Sequence, residues 1–173
     1  MVDVEGRDRL AVRARDGDRE AFAELVTVLR DEVWRFCRSL ARDEEAAADA
    51  QQETFLRLVA ALPRWQGRSS ATTFVLAIAK RAVADQYRRR PELSVERPPD
   101  PGVPDASASV TTVALIDGLP ERLREAFALT QMVGLSYQEA AEVAGVPVGT
   151  IRSRVHRARD RLVAELDAVE RGA

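Results

Sequence analysis

The stretch that decides the fold lies near the end of the chain, where residues 136–162 read SYQEAAEVAGVPVGTIRSRVHRARDRL. Ser136, with Glu139 three residues later, is the pattern of a capping box, which begins a helix. Gly145 can adopt the left-handed conformation that ends a helix, and Pro147 keeps the chain from continuing it. The spacing therefore predicts two short helices joined by a tight turn, which is the helix-turn-helix pattern.

The second helix of this pair has an apolar face and a basic face. Apolar residues follow a 4-3-4 spacing from Ile151 to Leu162, so we expect them to face the core. A helix in a DNA major groove presents arginine to guanine, and hydroxyl groups to bases or phosphate. We therefore predict DNA contacts from the residues turned outward near its amino end: Thr150, Arg152, Ser153, His156 and Arg157. A plain helical hairpin is the alternative, and His156 is expected to be a surface side chain rather than a catalytic base.

Upstream of this motif, residues 91–112 read PELSVERPPDPGVPDASASVTT and contain five of the eight prolines of the chain. Proline lacks a backbone donor, and small polar side chains bury too little apolar surface to offset the entropy of ordering a chain. The composition predicts an extended or disordered linker. That linker divides the chain into a first domain, 1–90, and a second domain, 113–173.

Apolar residues recur at spacings of three and four on both sides of the predicted linker, and convincing alternation of period two is lacking. The pattern predicts an all-α protein with two small helical domains. The expected helices cover residues 22–40, about 43–62 and 71–90 in the first domain, and 113–118, 121–133, 136–144 and 150–169 in the second.

The second predicted helix carries a polar face. Its residues are Asp49, Gln52, Glu53 and Leu56, while the opposite face is apolar. An exposed leucine among acids is a candidate docking surface for a basic protein partner. A solvated face with one stray leucine is the alternative.

The third predicted helix and the loop before it combine an aromatic ring, an amide and hydroxyl groups with basic side chains. Such a set is what a pocket for unstacked single-strand bases needs. The candidate residues are Trp65, Gln66, Arg68, Ser69, Ser70, Lys80, Arg81, Asp85 and Arg88. For Trp65, packing in the core is the favoured alternative.

The composition excludes several classes of protein. With 46% apolar and 31% charged residues, the 173-residue chain has the balance of a folded globular protein. One cysteine and one histidine cannot build a disulfide framework or a Cys/His metal site, so we expect a cytoplasmic protein without a metal or other cofactor. We expect Cys37 to be a small core residue rather than a redox sensor. The apolar runs are too short to span a bilayer, and the first residues lack the features of an export signal.

Two longer stretches resemble one protein family. Residues 49–90 read DAQQETFLRLVAALPRWQGRSSATTFVLAIAKRAVADQYRRR and are similar to region 2 of the extracytoplasmic-function sigma factors of the sigma-70 family. Residues 119–162 read LPERLREAFALTQMVGLSYQEAAEVAGVPVGTIRSRVHRARDRL and are similar to region 4 of the same family. The two stretches stand in the family's order and cover most of the chain. The resemblance implies a sigma subunit of bacterial RNA polymerase, which catalyses no reaction itself.

The resemblance also implies partners and roles. Asp49, Gln52 and Glu53 would bind the β′ clamp helices of core RNA polymerase, and the β flap would be a further contact. The loop 65–70 and the helix after it would capture and melt the promoter −10 element, while the helix-turn-helix would read the −35 element. Members of this family are commonly held by an anti-sigma factor, so such a partner is expected, and a small-molecule substrate is not.

The match departs from the family at the third predicted helix. The family's Phe-Arg-Thr-Trp-like start is replaced by Ala71-Thr72-Thr73-Phe74, and its Arg-Asn pair by Lys80-Arg81. Because the family uses this helix to capture the −10 element, the −10 sequence of relatives is not expected to transfer to this chain.

Three functions are weighed against one another. The first is a promoter-specificity subunit of RNA polymerase. The second is a stand-alone helix-turn-helix regulator whose first domain senses or oligomerises, which predicts tight duplex binding without polymerase. The third, an all-helical enzyme, has the least support, because the sequence contains no Walker loop, no His/Asp/Glu metal set and no Cys-His pair.

Overall fold

The computed structural model describes residues 3–89 and 112–172, and the regular structure within these ranges is helical. The first group of helices comprises α1 (Val4–Arg15), α2 (Arg19–Leu40), α3 (Glu44–Ala61), a 3₁₀ turn (Leu62–Arg64) and α4 (Ala71–Arg89). The second group comprises α5 (Thr112–Asp117), α6 (Glu121–Phe127), a π-helical turn (Ala128–Met132), α7 (Tyr137–Ala144) and α8 (Val148–Gly172). The predicted all-α fold is confirmed. None of the described helices is long and apolar enough to cross a membrane.

Aspartate side chains begin three helices of the first group. Asp3, Asp18 and Asp43 each accept a hydrogen bond from a backbone N–H three residues further on, at 2.8, 3.0 and 2.7 Å. These bonds satisfy N–H groups that have no partner within the helix, and they place negative charge at the positive end of the helix dipole. The helix starts in this half of the chain are therefore encoded locally.

The sequence pattern did not predict α1. Charged residues surround its buried Leu10 and Ala11, so its apolar face is too narrow to stand out. The helix packs on α2 and α4, and its Asp8 carboxylate accepts the Ala71 N–H at 2.6 Å. α1 thereby holds the first turn of α4 in place.

The two groups share one hydrophobic core. Buried residues of the first group, such as Phe36, Leu58 and Leu76, belong to the same cluster as Leu129 and Ile151 of the second. α4 packs against α7, and α2 packs against α6 and the π-helical turn. Helical periodicity shows which face of a helix is buried but not what covers it, so the sequence did not predict this contact. The predicted linker, 91–112, lies outside the described residues except for Thr112, where α5 begins.

The helix predicted over 121–133 is not α-helical throughout. After Phe127 it widens into the π-helical turn, in which the Val133 N–H donates to the Ala128 carbonyl at 3.0 Å. Gly134 follows with a φ of 88°, a left-handed conformation that glycine adopts without strain. In the turn, the Gln131 side chain accepts a hydrogen bond from Arg159 of α8 at 2.8 Å.

The predicted helix-turn-helix is formed by α7 and α8. Ser136 Oγ accepts from the Glu139 N–H at 3.2 Å, and the Glu139 carboxylate accepts from the Ser136 N–H at 3.0 Å, which completes the capping box. Gly145 ends α7 at φ 71° and ψ 36°. Because α8 packs on α6 and α7 along one side, its opposite side faces away from the core.

Candidate nucleic-acid and protein interfaces

The outward face of α8 is open. Among the residues predicted to contact DNA on this helix, three are exposed: Arg152, His156 and Arg157. Thr150 and Ser153 are half-buried, and Ser153 Oγ donates to the Thr150 carbonyl at 3.0 Å, which leaves its oxygen free to accept. The fold thus brings all five predicted side chains to the amino-terminal part of one helix.

A basic groove of about 730 Å³ runs between α8 and the start of α6. Its lining includes Thr150, Arg154, Arg157 and Arg161 of α8 together with Arg122 of α6. Guanidinium groups along one side of a recognition helix suit contacts with a phosphate backbone. Arg154 and Arg161 belong to the basic stretch 149–162 but were not among the predicted DNA contacts, and Arg122 is brought to this side only by the fold.

The polar face of α3 is also open. Asp49 and Gln52 are exposed, Glu53 is half-buried, and Leu56 is 60% exposed. These four residues lie along one wall of a cleft of about 320 Å³, and the last turns of α4 form the other wall. The spacing assigned Val59 to the opposite, apolar face of this helix, but Val59 is 58% exposed and enlarges the apolar part of the open face. Two exposed aliphatic side chains beside acids favour a docking surface over a solvated face with one stray leucine.

Arg57 joins this face to α4. Its Nε lies 2.7 Å from Glu53 Oε1, and its Nη1 lies 2.6 Å from Asp85 Oδ2. The bond from Arg57, and a further one from Arg88, hold the pKa of the Asp85 carboxyl below its usual range. The bonds to Asp85 and then Glu53 raise the pKa of Arg57. Asp85, predicted as a DNA contact, is therefore engaged with two arginines.

The prediction that Trp65 contacts DNA does not hold in this structure. The side chain is buried at 5% exposure, and its ring lies 6.3 Å from that of Phe74, centroid to centroid, at a tilt of 40°. Trp65 packs in the core, which is the alternative that the sequence favoured. The neighbouring Gln66 and Arg68 are exposed.

The outer face of α4 is divided along its length. Arg81 and Arg88 are exposed, whereas the residues before them on this face contact the second group. Lys80 Nζ lies 2.7 Å from Glu125 Oε1 of α6 and donates to the Ala144 carbonyl of α7 at 2.6 Å. At the start of α4, Ser70 Oγ donates to Glu139 Oε1 at 3.2 Å. Two of the predicted −10 residues, Lys80 and Ser70, therefore have polar partners in the second group of helices.

Glu139 serves two contacts with one carboxylate. Partial burial disfavours its ionised form, but hydrogen bonds from the Ser136 side chain and backbone, and from Ser70, outweigh burial and lower the pKa of Glu139. The charged form therefore holds both the start of α7 and the contact with α4.

Cys37 is fully buried, as predicted, and burial raises the pKa of its thiol to about 12 although a hydrogen bond with Thr54 opposes the shift. A thiol in this environment is unreactive at neutral pH. Within residues 3–89 and 112–172, no group of three or more His, Cys, Asp or Glu side chains is placed to hold a metal ion.

Family models match both groups of helices. The model of Sigma-70 region 2 matches residues 25–91, and that of Sigma-70, region 4, matches residues 111–162. The two matches fall on the first and second groups in the order expected from the sequence.

Similar proteins and structures agree with these matches. The ECF RNA polymerase sigma factor SigC of Mycobacterium tuberculosis is 42% identical over 176 residues, which span 95% of this chain and 94% of the relative. The RNA polymerase sigma-H factor of Pseudomonas aeruginosa is 30% identical over 193 residues, which span both chains completely.

Two solved structures superpose on this chain. CnrH, in complex with the cytosolic domain of CnrY, matches with a TM-score of 0.73 and 30% identity over 94% of this chain and 98% of that one. The sigma factor RpoE of Bartonella quintana, in complex with the anti-sigma factor NepR, matches with a TM-score of 0.72 and 26% identity over 84% and 96%. This chain therefore belongs to the extracytoplasmic-function RNA polymerase sigma factors of the sigma-70 family.

Proposed function

We propose that this chain directs core RNA polymerase to specific promoters and assists their opening, with three separate surfaces for polymerase, the −10 element and the −35 element. The observation that carries this proposal is the presence of both sigma regions in one chain, each with an exposed surface of suitable chemistry. A stand-alone regulator would need the α8 face but would not need a surface for core polymerase.

Core polymerase docks on the open face of α3. Asp49, Gln52 and Glu53 offer carboxylate and amide oxygens to basic groups of the β′ clamp helices, and Leu56 with Val59 supplies apolar area to be desolvated. Apolar anchors surrounded by polar groups are typical of protein interfaces. A second contact, between the β flap and the second domain, follows from family membership.

The −35 element is read by α8 in the major groove. Arg152, Ser153, His156 and Arg157 would meet base edges, and Thr150 would hold a phosphate near the helix start. The groove beside Arg122 and Arg161 would take the neighbouring backbone. Phosphate contacts fix the register of the protein on the duplex, and base contacts supply the sequence preference.

The −10 element is captured by the loop before α4 and by the outer face of α4. Gln66, Arg68, Ser69 and Ser70 would hold unstacked bases, while Lys80, Arg81 and Arg88 attract the backbone. Asp85 holds Arg88 and Arg57 rather than the nucleic acid. Trp65 supports the loop from beneath.

The remaining assignments complete this proposal. Residues 1–90 form the polymerase-binding and −10 domain, 91–112 the linker, and 113–173 the −35 domain. The chain supplies recognition and not catalysis, needs no cofactor, and acts in the cytoplasm alongside core polymerase. An anti-sigma factor is the expected inhibitor, since the solved relative from Bartonella quintana is bound to one.

The test combines binding with transcription. The purified chain is added to core polymerase on genomic DNA, and the transcripts that appear are sequenced, while a pull-down measures the complex with core polymerase. We expect binding to core and a set of new start sites that share −10 and −35 sequences. Failure to bind core, combined with tight duplex binding by the chain alone, would support the stand-alone regulator instead.

A further inference from the structure

Two adjacent residues of α1 hold the first turn of α4. The Asp8 carboxylate accepts the Ala71 N–H at 2.6 Å, and Arg7 donates from Nη1 to Thr72 Oγ1 at 3.3 Å. The first four N–H groups of a helix have no partner within it, so Asp8 supplies an acceptor that α4 itself lacks. The two pairs are separated by 63 and 65 residues in the sequence. The start of α4 is therefore set partly by a distant part of the chain.

Arg7 joins three helices through one guanidinium group. Its Nη2 lies 2.7 Å from Glu32 Oε1 of α2, while its Nη1 reaches Thr72 of α4. The Arg7 and Glu32 side chains are 13% and 14% exposed, and Thr72 is buried. Removing water from two charges costs about as much free energy as their attraction returns, so a buried ion pair is a weak source of stability. What this pair supplies is a fixed geometry between α1, α2 and α4.

α1 also contacts the other end of the loop that is proposed to capture the −10 element. The loop 65–70 leaves the 3₁₀ turn Leu62–Arg64 and enters α4 at Ala71, and α1 packs against both elements. Between these two anchors the loop exposes Gln66 and Arg68. One helix of twelve residues therefore fixes both points from which the exposed side chains of the loop extend.

We propose that α1 is a positioning element for −10 recognition, in which Arg7 and Asp8 fix the first turn of α4 and thereby hold the loop 65–70 in the form that receives unstacked bases. Arg7 and Asp8 are half-buried and act through α4 rather than on the nucleic acid. The match to the region 2 model begins at residue 25, so it assigns no role to α1. This inference rests on the proposed −10 surface.

The positioning works by restricting the loop before DNA arrives. Ordering a flexible loop at an interface costs free energy, which is subtracted from the free energy of binding. Side chains that contact bases also discriminate best when supporting residues hold them close to the binding geometry. Release of the loop at Ala71 should therefore weaken binding of the correct −10 strand more than binding of a strand with altered bases.

The first variant removes the whole charged pair. Arg7→Met combined with Glu32→Leu replaces both charges by apolar side chains, a change that often leaves stability intact, whereas removal of one charge leaves the other buried without its partner. Circular dichroism and urea denaturation should show an unaltered fold and midpoint. The double variant should bind core polymerase and −35 duplex as the wild type does, because neither surface includes α1.

The readout is sequence discrimination by the complex of the chain with core polymerase. Fluorescence anisotropy measures binding of this complex to a labelled single strand whose −10 sequence comes from the transcript experiment, and to a strand in which the −10 bases are scrambled. The double variant should bind the correct strand three- to tenfold more weakly than the wild type. Its affinity for the scrambled strand should stay within twofold of the wild-type value, so the preference between the strands narrows.

Asp8 gives a second test, which also decides the matter if the double variant does not fold. Asp8→Ala removes the acceptor for the Ala71 N–H, whereas Asp8→Asn keeps a side-chain oxygen that can accept it. The alanine variant should lose discrimination and the asparagine variant should retain it. Arg9→Ala changes a side chain of the same helix that is 72% exposed, and it should have no effect. Equal loss in both Asp8 variants would contradict the assigned hydrogen bond.

The same measurements separate this inference from the proposed function. Wild-type discrimination in the folded double variant or in Asp8→Ala would overturn the positioning role of α1. A uniform loss of core, −35 and −10 binding would show that α1 only supports the fold, and it would overturn the proposal as well. If the complex of wild-type chain and core polymerase does not prefer the correct strand, the proposed −10 function fails first.

Discussion

The outer face of α4 and the outward face of α8 carry similar side chains. They differ in exposure, because part of the α4 face is covered by the second group and the α8 face is open. Both carry arginine and hydroxyl side chains at helical spacing, and both are proposed to meet promoter DNA. On α8 these side chains face away from the protein, whereas on α4 Lys80 and Ser70 are held by Glu125 and Glu139 of the second group. The comparison shows that side chains of similar chemistry can be open on one helix and engaged within the chain on another.

The largest effect is expected on the open face. Arg152→Ala and Arg157→Ala should each weaken −35 duplex binding by about 1–3 kcal/mol, because a base-edge contact is lost. Fluorescence anisotropy on the free chain measures this loss, since the outward face of α8 is open. Arg171→Ala, near the far end of α8, is the matched control and should have no effect. Unchanged transcription from the chain's own promoter in both variants would reject the assignment.

The next largest effect is expected on docking at the polar face of α3, which is open although it lies beside α4. Asp49→Arg should lower the affinity for core polymerase about tenfold, or about 1.4 kcal/mol, because it places a positive charge against a basic partner. Surface plasmon resonance with immobilised core polymerase measures the change, and circular dichroism should show an unaltered helical fold. Asp31→Arg, an exposed acid on α2, serves as the control. Equal affinity of Asp49→Arg and the wild type would remove α3 from the docking surface.

A smaller effect is expected where α3 supports α4. Arg57→Gln should reduce the free energy of unfolding by about 0.5–1 kcal/mol, because the link between Glu53 and Asp85 is lost at a partly exposed site. Arg57→Lys should retain only part of this stability, because an ammonium group cannot bridge two carboxylates as a guanidinium fork does. Urea denaturation measures both variants. Identical midpoints for wild type and Arg57→Gln would show that the ion pairs of Arg57 with Glu53 and Asp85 do not contribute to stability.

Acid should weaken the contact at Glu139. Its pKa is lowered in the folded protein, so the stability that it contributes is complete above the ordinary glutamate pKa and is lost as the pH falls through the lowered value. The difference in free energy of unfolding between wild type and Glu139→Gln should therefore shrink between pH 7 and pH 3. A difference that is constant over this range would mean that the charge of Glu139 holds neither contact.

The smallest effect tests whether the core of the first group stays intact in the complex with core polymerase. Cys37 has a pKa raised to about 12 and lies in the core, so a thiol reagent should label it negligibly at pH 8 and fully in denaturant. The labelling rate should stay low in the complex with core polymerase. Rapid labelling there would mean that binding to core polymerase disrupts the core between α2 and α3.

The helix-turn-helix was predictable because its signals are local. The capping pair Ser136 and Glu139, the left-handed Gly145 and the spacing from Ile151 to Leu162 act within a few residues of one another. The all-α class and the starts of α3 and α4 followed in the same way, whereas α2 begins at Arg19, three residues before its predicted start. The sequence pattern did not predict α1, because its two most buried apolar residues, Leu10 and Ala11, are adjacent and form no periodic stripe.

The candidate sites were predictable only in part. Helical spacing brought Asp49, Gln52, Glu53 and Leu56 together, but the role of Asp85 depends on Arg57 of a different helix. For Trp65 the sequence favoured packing in the core over contact with a base, but only the structure identifies its neighbour, Phe74. The partners of Lys80 and Ser70 lie 45 to 69 residues away, beyond the range of any local pattern.

Because of the π-helical turn, the contact between the two groups depends on the number of residues between α6 and α7 as well as on their side chains. Successive residues of an α-helix are offset by about 100°. Deleting one residue between Ala128 and Met132 to restore a regular helix would rotate α6 by that angle relative to α7. Glu125 would then point away from Lys80 and Arg154. A homologue without the widened turn would need an acid at a different place to hold its two halves together.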